Sequence, residues 1–243
     1  MAVTYDADTT FSASTNPTGT HTPVAAGALG AIVAFIEQDD NDPTDDVTGI
    51  DYGGAAMTRV PTHGFVAADA GGEQGALYAY TLLSGIPTGA QTVTCQGSGT
   101  TNKVMRVISY TAAAAVSIDT ANSSDSASQA NPSIVLATTA ATNTAIAAVL
   151  LSGHNAGGSL AAGADYTQVD LEEDWGLQLS SCIRRTSNAS GGNVTVDWVA
   201  TAKEAAIIAI ALKEASTPPP PPTGVGFGVG GMGFDSVVEV VGY

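Results

Sequence analysis

The chain has 243 residues, 44% of them apolar, which is enough to bury a substantial core in one large β domain or two small ones. The net charge is −16, from 23 acidic and 7 basic residues, and the basic residues are scattered along the chain. Because neutralising phosphates needs clustered Lys and Arg, this balance argues against a nucleic-acid partner. The acidity more simply aids solubility.

Targeting and membrane segments are not evident in the sequence. The N-terminal stretch has neither the basic nor the apolar region of a signal peptide. The longest apolar runs, near 145–151 and 205–212, are far shorter than the ~20 residues of a membrane span. We therefore expect a soluble protein, made in a cytoplasm, with no membrane partner.

Two cysteines, Cys95 and Cys182, are too few for a disulfide framework. They could form one bridge, but nothing in their spacing requires it. Free cysteine packs as a small apolar residue, so we expect two buried thiols.

The chain reads as a series of short strands separated by Gly, Pro and polar turns, and no helix period competes with them. Residues 3–5 and 10–12 begin the series, and 119–132 read as a polar connection between two halves. Residues 75–113 predict a three-stranded antiparallel meander, because Gly/Pro-rich turns separate three β-branched or apolar runs. The three strands of the meander are 77–82, 91–95 and 104–110, and the other predicted strands are 28–37, 53–60, 133–138, 144–151, 166–171, 175–185, 193–199 and 204–212.

The two halves can be laid over each other. Residues 54–60 align with 163–169, Val93-Thr94 aligns with Val194-Thr195, and 103–110 align with 204–212. Two similar halves of five strands suggest two sheets packed face to face. The sequence thus predicts an all-β, two-sheet antiparallel sandwich over residues 1–215, jelly-roll-like, with a pseudo-repeat of two five-strand halves.

The sequence after 215 differs from the rest. Residues 216–223 include five consecutive prolines, which favour a stiff polyproline II linker. Residues 224–243 alternate glycine with apolar residues and cannot make a core of their own, so we predict an extended tail that anchors on another protein chain. The predicted docking residues are Val225, Phe227, Val229, Met232, Phe234, Val237, Val238, Val240 and Val241.

An acidic window at 37–51 is the candidate metal site. Its calcium candidates are Asp39, Asp40, Asp42, Asp45 and Asp46, which offer the oxygen ligands that calcium prefers. The spacing does not fit an EF-hand loop, because Asp45 stands where that loop has its glycine. The alternative is a solvated acidic loop, and the same alternative holds for the acidic residues at 170–174.

Catalytic and cofactor motifs do not emerge. His21, His63 and His154 lie far apart in predicted loops, without the spacing of a zinc site. Residues 226–231 fit G-x-G-x-x-G, but a polyproline run precedes them instead of a strand, so we reject a dinucleotide site. We expect no enzyme activity and no cofactor.

Four aromatic residues bear on a sugar-binding alternative. Tyr78, Tyr80, Trp175 and Trp198 could stack on a glycan if they were exposed in a groove. Aromatic residues at strand positions more often pack inside a sandwich, and we expect packing.

Four segments resemble a recurrent β-sandwich module of tailed-bacteriophage virion proteins, of the decoration and minor tail classes, which also occurs in some bacterial surface proteins. They are 52–60 (YGGAAMTRV), 77–80 (LYAY), 87–93 (PTGAQTV) and 107–110 (VISY). The resemblance extends over about 25–215 and leaves the tail uncovered. It implies a structural or adhesive role and transfers no active site.

The leading hypothesis is a structural component of a phage particle. It would be a head decoration or tail-associated protein located in the virion, which contacts capsid or tail subunits through its tail and forms a homo-oligomer in the assembly. The alternatives are a carbohydrate-binding or adhesin module with a host-surface glycan as partner, and a tail-tube or fibre subunit.

Overall fold

The computed structural model describes residues 2–13, 15–25, 29–39, 44–69, 75–98, 102–139, 144–153, 160–174, 178–185, 191–201 and 203–215. These residues form eighteen strands. The first half contains β1 (Thr4–Ala13), β2 (Thr18–His21), β3 (Leu29–Asp39), β4 (Val47–Tyr52), β5 (Ala55–Ala56), β6 (Thr58–Arg59), β7 (Phe65–Ala68), β8 (Gly75–Leu82), β9 (Gln91–Gly97) and β10 (Asn102–Thr111). The second half contains β11 (Val116–Gln129), β12 (Ser133–Thr138), β13 (Ala145–Gly153), β14 (Leu160–Ala162), β15 (Tyr166–Asp174), β16 (Gln178–Arg185), β17 (Gly192–Ala200) and β18 (Lys203–Glu214).

The two halves repeat one strand order. In the first half, one sheet runs β1-β10-β3-β8-β6, with β7 also paired to β8, and a second runs β2-β9-β4-β5. In the second half, one sheet runs β11-β18-β13-β16-β15 and the other β12-β17-β14. Strands β1-β10-β3-β8 of the first half therefore correspond to β11-β18-β13-β16 of the second half, and β2-β9-β4 correspond to β12-β17-β14. Every pairing is antiparallel, and this interleaving of two sheets is the strand order of a jelly roll.

Four sheets stack in layers around three cores. The apolar side chains between the two sheets of the first half include Ile36 and Val93, and those between the two sheets of the second half include Ile207 and Val196. A third core joins the two halves, because the sheets that contain β3 and β18 also pack on each other. We call these two sheets the inner sheets and the other two the outer sheets.

Burial explains the sequence pattern of each layer. Inner strands are covered on both faces, so β10 is buried at eight consecutive positions and β8 at seven. Outer strands have one face in water, so β12 and β17 alternate buried apolar residues with exposed ones. The residues 204–212, which are rich in alanine, form an inner strand for the same reason.

The all-β antiparallel sandwich predicted from the sequence is confirmed. The pseudo-repeat is confirmed as a repeat of strand order, although each half supplies two sheets instead of one. Residues 54–60, which contain β5 and β6, follow β4, and residues 163–169, which run into β15, follow the equivalent strand β14. Val93-Thr94 and Val194-Thr195 lie on the equivalent strands β9 and β17.

The meander predicted for 75–113 is wrong. Its three strands exist as β8, β9 and β10, but none pairs with another. β8 and β10 both pair with β3 in the inner sheet, whereas β9 lies between β2 and β4 in the outer sheet. The chain therefore passes between sheets from β8 to β9 and again from β9 to β10, which turn composition alone does not reveal.

The polar connection predicted for 119–132 is also wrong. Most of it belongs to β11, a strand of 14 residues that pairs with β18 along the edge of the inner sheet. Its Ser, Asn and Asp residues stay partly exposed at this edge, which explains their polar character. The predicted strand 53–60 begins in a turn, where Gly53 and Gly54 have φ angles of 57° and 81°, and the rest is divided into the short strands β5 and β6.

The polyproline linker 216–223 and the tail 224–243 lie outside the described residues. Within the part of the chain that the structure describes, no helix is long and apolar enough to cross a membrane.

Candidate functional site

The acidic window is held against the first half by an arginine and two tyrosines. Arg59 donates from Nη1 and Nη2 to the two carboxylate oxygens of Asp45, and Nη2 also donates to the carbonyl of Val47. Its guanidinium lies 5.6 Å from the ring centroid of Tyr78 and 5.4 Å from that of Tyr80. The hydrogen bonds to Asp45 raise the pKa of Arg59 further above its usual range. Asp45 thus has a structural ion partner.

Asp46 joins a second set of contacts in the same window. Its carboxylate accepts from Gln38 Nε2 at 3.3 Å and from Ser98 Oγ at 3.1 Å, and its backbone N–H donates to the hydroxyl of Tyr78 at 3.0 Å. The Gln38, Asp46 and Ser98 side chains therefore tie the window to the loop after β9.

These contacts bear on the predicted calcium site. Asp45 and Asp46 are both engaged by protein groups, Asp39 is described only as the last residue of β3, and Asp40 and Asp42 lie outside the described residues. Among the residues that the structure describes, no group of three or more His, Cys, Asp or Glu side chains is placed to hold a metal ion.

The three predicted aromatic residues that the structure describes do not form a sugar-stacking groove. Tyr78 and Trp198 are 0% exposed and Tyr80 is 2% exposed, so these three pack inside the sandwiches. The indole of Trp198 crosses the core of the second half and donates from Nε1 to Ser181 Oγ at 3.2 Å. Trp175 lies outside the described residues. The glycan-stacking role is wrong for the three described aromatics.

The cysteines and histidines also have structural settings. Cys95 and Cys182 are free and buried, as expected, and burial raises the pKa of Cys95 to about 11. His21 is buried beside Thr9, and this burial lowers its pKa despite the nearby acidic residues. His63 contacts Ser123 of the second half at 3.0 Å. His154 lies outside the described residues.

A buried ion pair lies in the core between the two inner sheets. Arg106 of β10 donates from Nη1 to Glu37 of β3, and both side chains are 0% exposed. Arg106 also donates from Nη2 to Ser180 Oγ of the second half at 3.1 Å, and its Nε lies 3.7 Å from Asp170 Oδ2. Burial raises the pKa of Glu37, and the charge of Arg106 opposes that shift. The hydrogen bond from Arg106 to Ser180 connects the two halves. Because both side chains of the ion pair are shielded from solvent, they are not accessible to a substrate.

The second half carries a polar cleft of about 380 Å³ at the outer sheet. Seven residues line it, and most of them are polar: Asp165, Arg185, Gly191, Asn193, Val194, Thr195 and Asp197. Asn193, Thr195 and Asp197 are on the outward face of β17, alternating with buried Val194 and Val196. Side chains of both charges, Asp165, Asp197 and Arg185, therefore line one cleft.

Three close contacts surround this cleft. Arg185 Nη2 lies 3.5 Å from Asp165 Oδ2 across it. The hydroxyl of Tyr166 donates to the carbonyl of Thr195 at 2.8 Å, and burial raises the pKa of Tyr166 to about 12. Gly163 lies against the Asp197 carboxylate so closely that a Cβ there would come within 2.3 Å of Asp197 Oδ1.

Sequence reasoning missed this cleft, although the repeat contains a signal for it. Asp165 falls within the stretch 163–169 that aligns with 54–60, and Thr195 within the matched Val-Thr pairs. Comparing the two halves position by position would have brought Asp165, Asn193 and Asp197 to attention.

Comparison of the chain with known protein families, with curated proteins and with solved structures finds no match.

Proposed function

We propose that this chain is a non-enzymatic structural protein of a bacteriophage particle, a head decoration or tail-associated protein that binds neighbouring subunits through residues 224–243. The observation that carries this proposal is a folded body that closes its own cores before an apolar tail begins. The resemblance to virion sandwich modules suggests the kind of assembly. In that assembly, several copies of the chain occupy equivalent positions.

The described body needs no further segment to cover its apolar interior. Side chains of all three cores, such as Phe35 between the inner sheets, Ile36 in the first half and Ile207 in the second half, are 0% exposed. Large exposed apolar side chains in the described residues are limited to Val24, Val135 and Val199. The nine apolar residues predicted to dock are thus additional to a complete core, and they require a surface elsewhere to bury them.

The last described strand fixes the point where the tail departs. The backbone N–H of Ala215 donates to the carbonyl of Ala115 at 2.7 Å. The Glu214 carboxylate accepts from the backbone N–H groups of Ala113 at 2.6 Å and Ala114 at 3.3 Å. The end of β18 is therefore tied to the connection between the halves, and the proline-rich linker starts from an anchored residue.

The chemistry of the tail favours a protein surface as its partner. Glycine alternates with Val225, Phe227 and Val229, so an extended conformation would place the apolar side chains on one face and glycine on the other. Glycine permits close approach of two backbones, and the apolar face can fill pockets or extend a sheet. Ordering such a glycine-rich segment is costly, so it gains most from a partner that supplies many contacts.

Three reactive groups of the body, Cys95, Glu37 and Arg106, lie in its interior. The thiol of Cys95 has a pKa of about 11 and is buried, so it is not a thiolate nucleophile near neutral pH. Glu37 and Arg106 pair with each other out of contact with water. These settings support a structural role for the body.

The test compares the full chain with a variant that ends at residue 215. Both are supplied during assembly of particles that lack the protein, and the bound copies are counted by mass spectrometry of purified particles. We expect the full chain to join the particles and the truncated chain to remain free, with an unchanged melting temperature. Truncated protein at full occupancy would contradict the anchor, and a full chain absent from particles would contradict the structural role.

A matched pair of single substitutions controls for the bulk effect of truncation. Val238→Asp introduces a charge into the apolar face, whereas Glu239→Gln changes a polar neighbour without adding apolar or charged surface. Val238→Asp should lower the number of copies bound to each particle, and Glu239→Gln should not.

A further inference from the structure

The internal repeat shows that the outer sheet of the second half is shorter than its counterpart. In the first half, β4 runs beside β9 from Val47, opposite Gly97, to Tyr52, opposite Val93, and the backbone N–H of Gly53 then donates to Thr92 O at 2.8 Å. The outer sheet of this half therefore covers β9 on both sides along most of its length.

In the second half the equivalent strand ends sooner. β14 pairs with β17 only from Leu160, opposite Ala200, to Ala162, opposite Trp198, and the N–H of Gly163 then donates to Asp197 O at 3.0 Å. With Val93-Thr94 matched to Val194-Thr195, the counterpart of Thr92 is Asn193, four residues before Asp197. The turn thus comes four residues early, and in the described residues no strand lies on that side of β17 between Asn193 and Val196.

The polar cleft occupies the space of this missing strand. Its volume of about 380 Å³ is within the ~300–1,000 Å³ range of small-molecule sites. The Nε of Arg185 at its wall is buried with no hydrogen-bond partner among the described residues. In the first half the position of Asp197 is held by Gln96, which donates to Asp51 of the covering strand. The same position in the second half presents its side chain to the cleft.

From this geometry we propose that the cleft binds a neutral saccharide of one or two sugar rings. The carboxylates of Asp165 and Asp197 only accept hydrogen bonds, the guanidinium of Arg185 only donates them, and Asn193 and Thr195 do both. A ligand that satisfies this set must offer donors and acceptors within a few ångströms, and each sugar hydroxyl is both. This proposal does not depend on the phage assignment.

The charges of the lining disfavour other small ligands. Two carboxylates against one guanidinium give the lining a formal charge of −1, which repels phosphates and other polyanions. The Arg185 guanidinium, 3.5 Å from Asp165, opposes a metal cation in the same space. A hydroxyl-rich neutral ligand avoids both costs.

The test measures binding to the full chain by saturation-transfer NMR and calorimetry, with glucose, galactose, mannose, N-acetylglucosamine and their β-linked disaccharides as probes. At least one probe should bind with millimolar or tighter affinity. Asp197→Ala and Asn193→Ala should each weaken it about tenfold or more, as expected when a hydrogen bond to a ligand hydroxyl is lost. Gln96→Ala, the change at the equivalent position of the first half, should leave it unchanged.

Three results would overturn the proposal. The first is no binding by any probe, with the circular dichroism of the chain intact. The second is binding that Asp197→Ala and Asn193→Ala leave unaltered, or that Gln96→Ala weakens as much. The third is calcium alone binding with an affinity that Asp197→Ala abolishes, which would make the cleft a cation site. These outcomes concern the body only, so they are separate from the fate of residues 216–243 in particles.

Discussion

Removing one partner of the buried ion pair should destabilise the protein far more than its small contact area suggests. Glu37→Ala leaves the guanidinium of Arg106 at 0% exposure, with Ser180 and the more distant Asp170 carboxylate as its remaining partners. A buried charge that loses its counter-ion cannot recover its hydration without opening the core between the two inner sheets.

The size of the effect follows from burial. Breaking a fully buried pair on one side costs about 3–5 kcal/mol, a large part of the ~5–15 kcal/mol by which folded domains are stable. Replacing both residues, in Glu37→Met with Arg106→Met, removes both charges and should restore most of that loss. Asp170, whose side chain is 32% exposed, can then be solvated. The chain carries its own control: the Arg59–Asp45 pair is 32% and 43% exposed, so Asp45→Ala should cost about 0–1 kcal/mol.

The assay is equilibrium unfolding in urea, followed by far-ultraviolet circular dichroism and tryptophan fluorescence. Glu37→Ala should shift the midpoint down with the slope m unchanged, and the double variant should return toward wild type. The reasoning is refuted if Glu37→Ala lowers the free energy of unfolding no more than Asp45→Ala does. It is also refuted if the double variant Glu37→Met with Arg106→Met is no more stable than Glu37→Ala.

Two further predictions concern local packing and pH. Burial lowers the pKa of His21 below its ordinary value of 6.5 and favours the neutral form in the folded state, so the unfolded chain binds more protons below that pH. The contribution of neutral His21 to the free energy of unfolding is therefore full above pH 6.5 and is lost as the pH falls toward the pKa of the folded state. His21→Gln should therefore flatten the dependence of the melting temperature on pH below about 6.5. Gly97→Ala places a Cβ 2.3 Å from the backbone carbonyl oxygen of Asp46 and should cost about 1–3 kcal/mol by urea unfolding. Gly49→Ala meets only the end of a glutamine side chain at 3.4 Å and should stay within about 0.5 kcal/mol of wild type; equal effects of the two changes would contradict the packing described here.

The strands could be predicted from the sequence because their signals are local. Apolar runs such as 28–37 and 204–212 are long enough for strands and bounded by charged residues or turns, and they appear as β3 and β18. The repeat was visible for the same reason, since Val93-Thr94 and Val194-Thr195 occupy equivalent strands. These two runs are also apolar at consecutive positions, which in an antiparallel sheet requires cover on both faces, and the four layers supply that cover.

Strand pairing could not be predicted, because it depends on partners far along the chain. β1 pairs with β10 across about a hundred residues. Nothing in the sequence around Gly99 indicates that β9 belongs to the outer sheet and β10 to the inner sheet. The edge strand β11 was missed since its partly exposed serines and aspartates resemble a loop. The cleft was missed because it arises from a strand that ends early. Aligning the two halves draws attention to Asp165, Asn193 and Asp197, but the early end of β14 is visible only in the structure.

The most direct test of the proposed function is a reconstruction of the assembled particle by electron cryomicroscopy, at a resolution that traces residues 224–243. The account predicts that Val225, Phe227 and the valines up to Val241 are covered by a neighbouring chain, with the two jelly rolls of each subunit standing away from that contact. Density that places this segment against its own subunit, with no other chain touching it, would contradict the account.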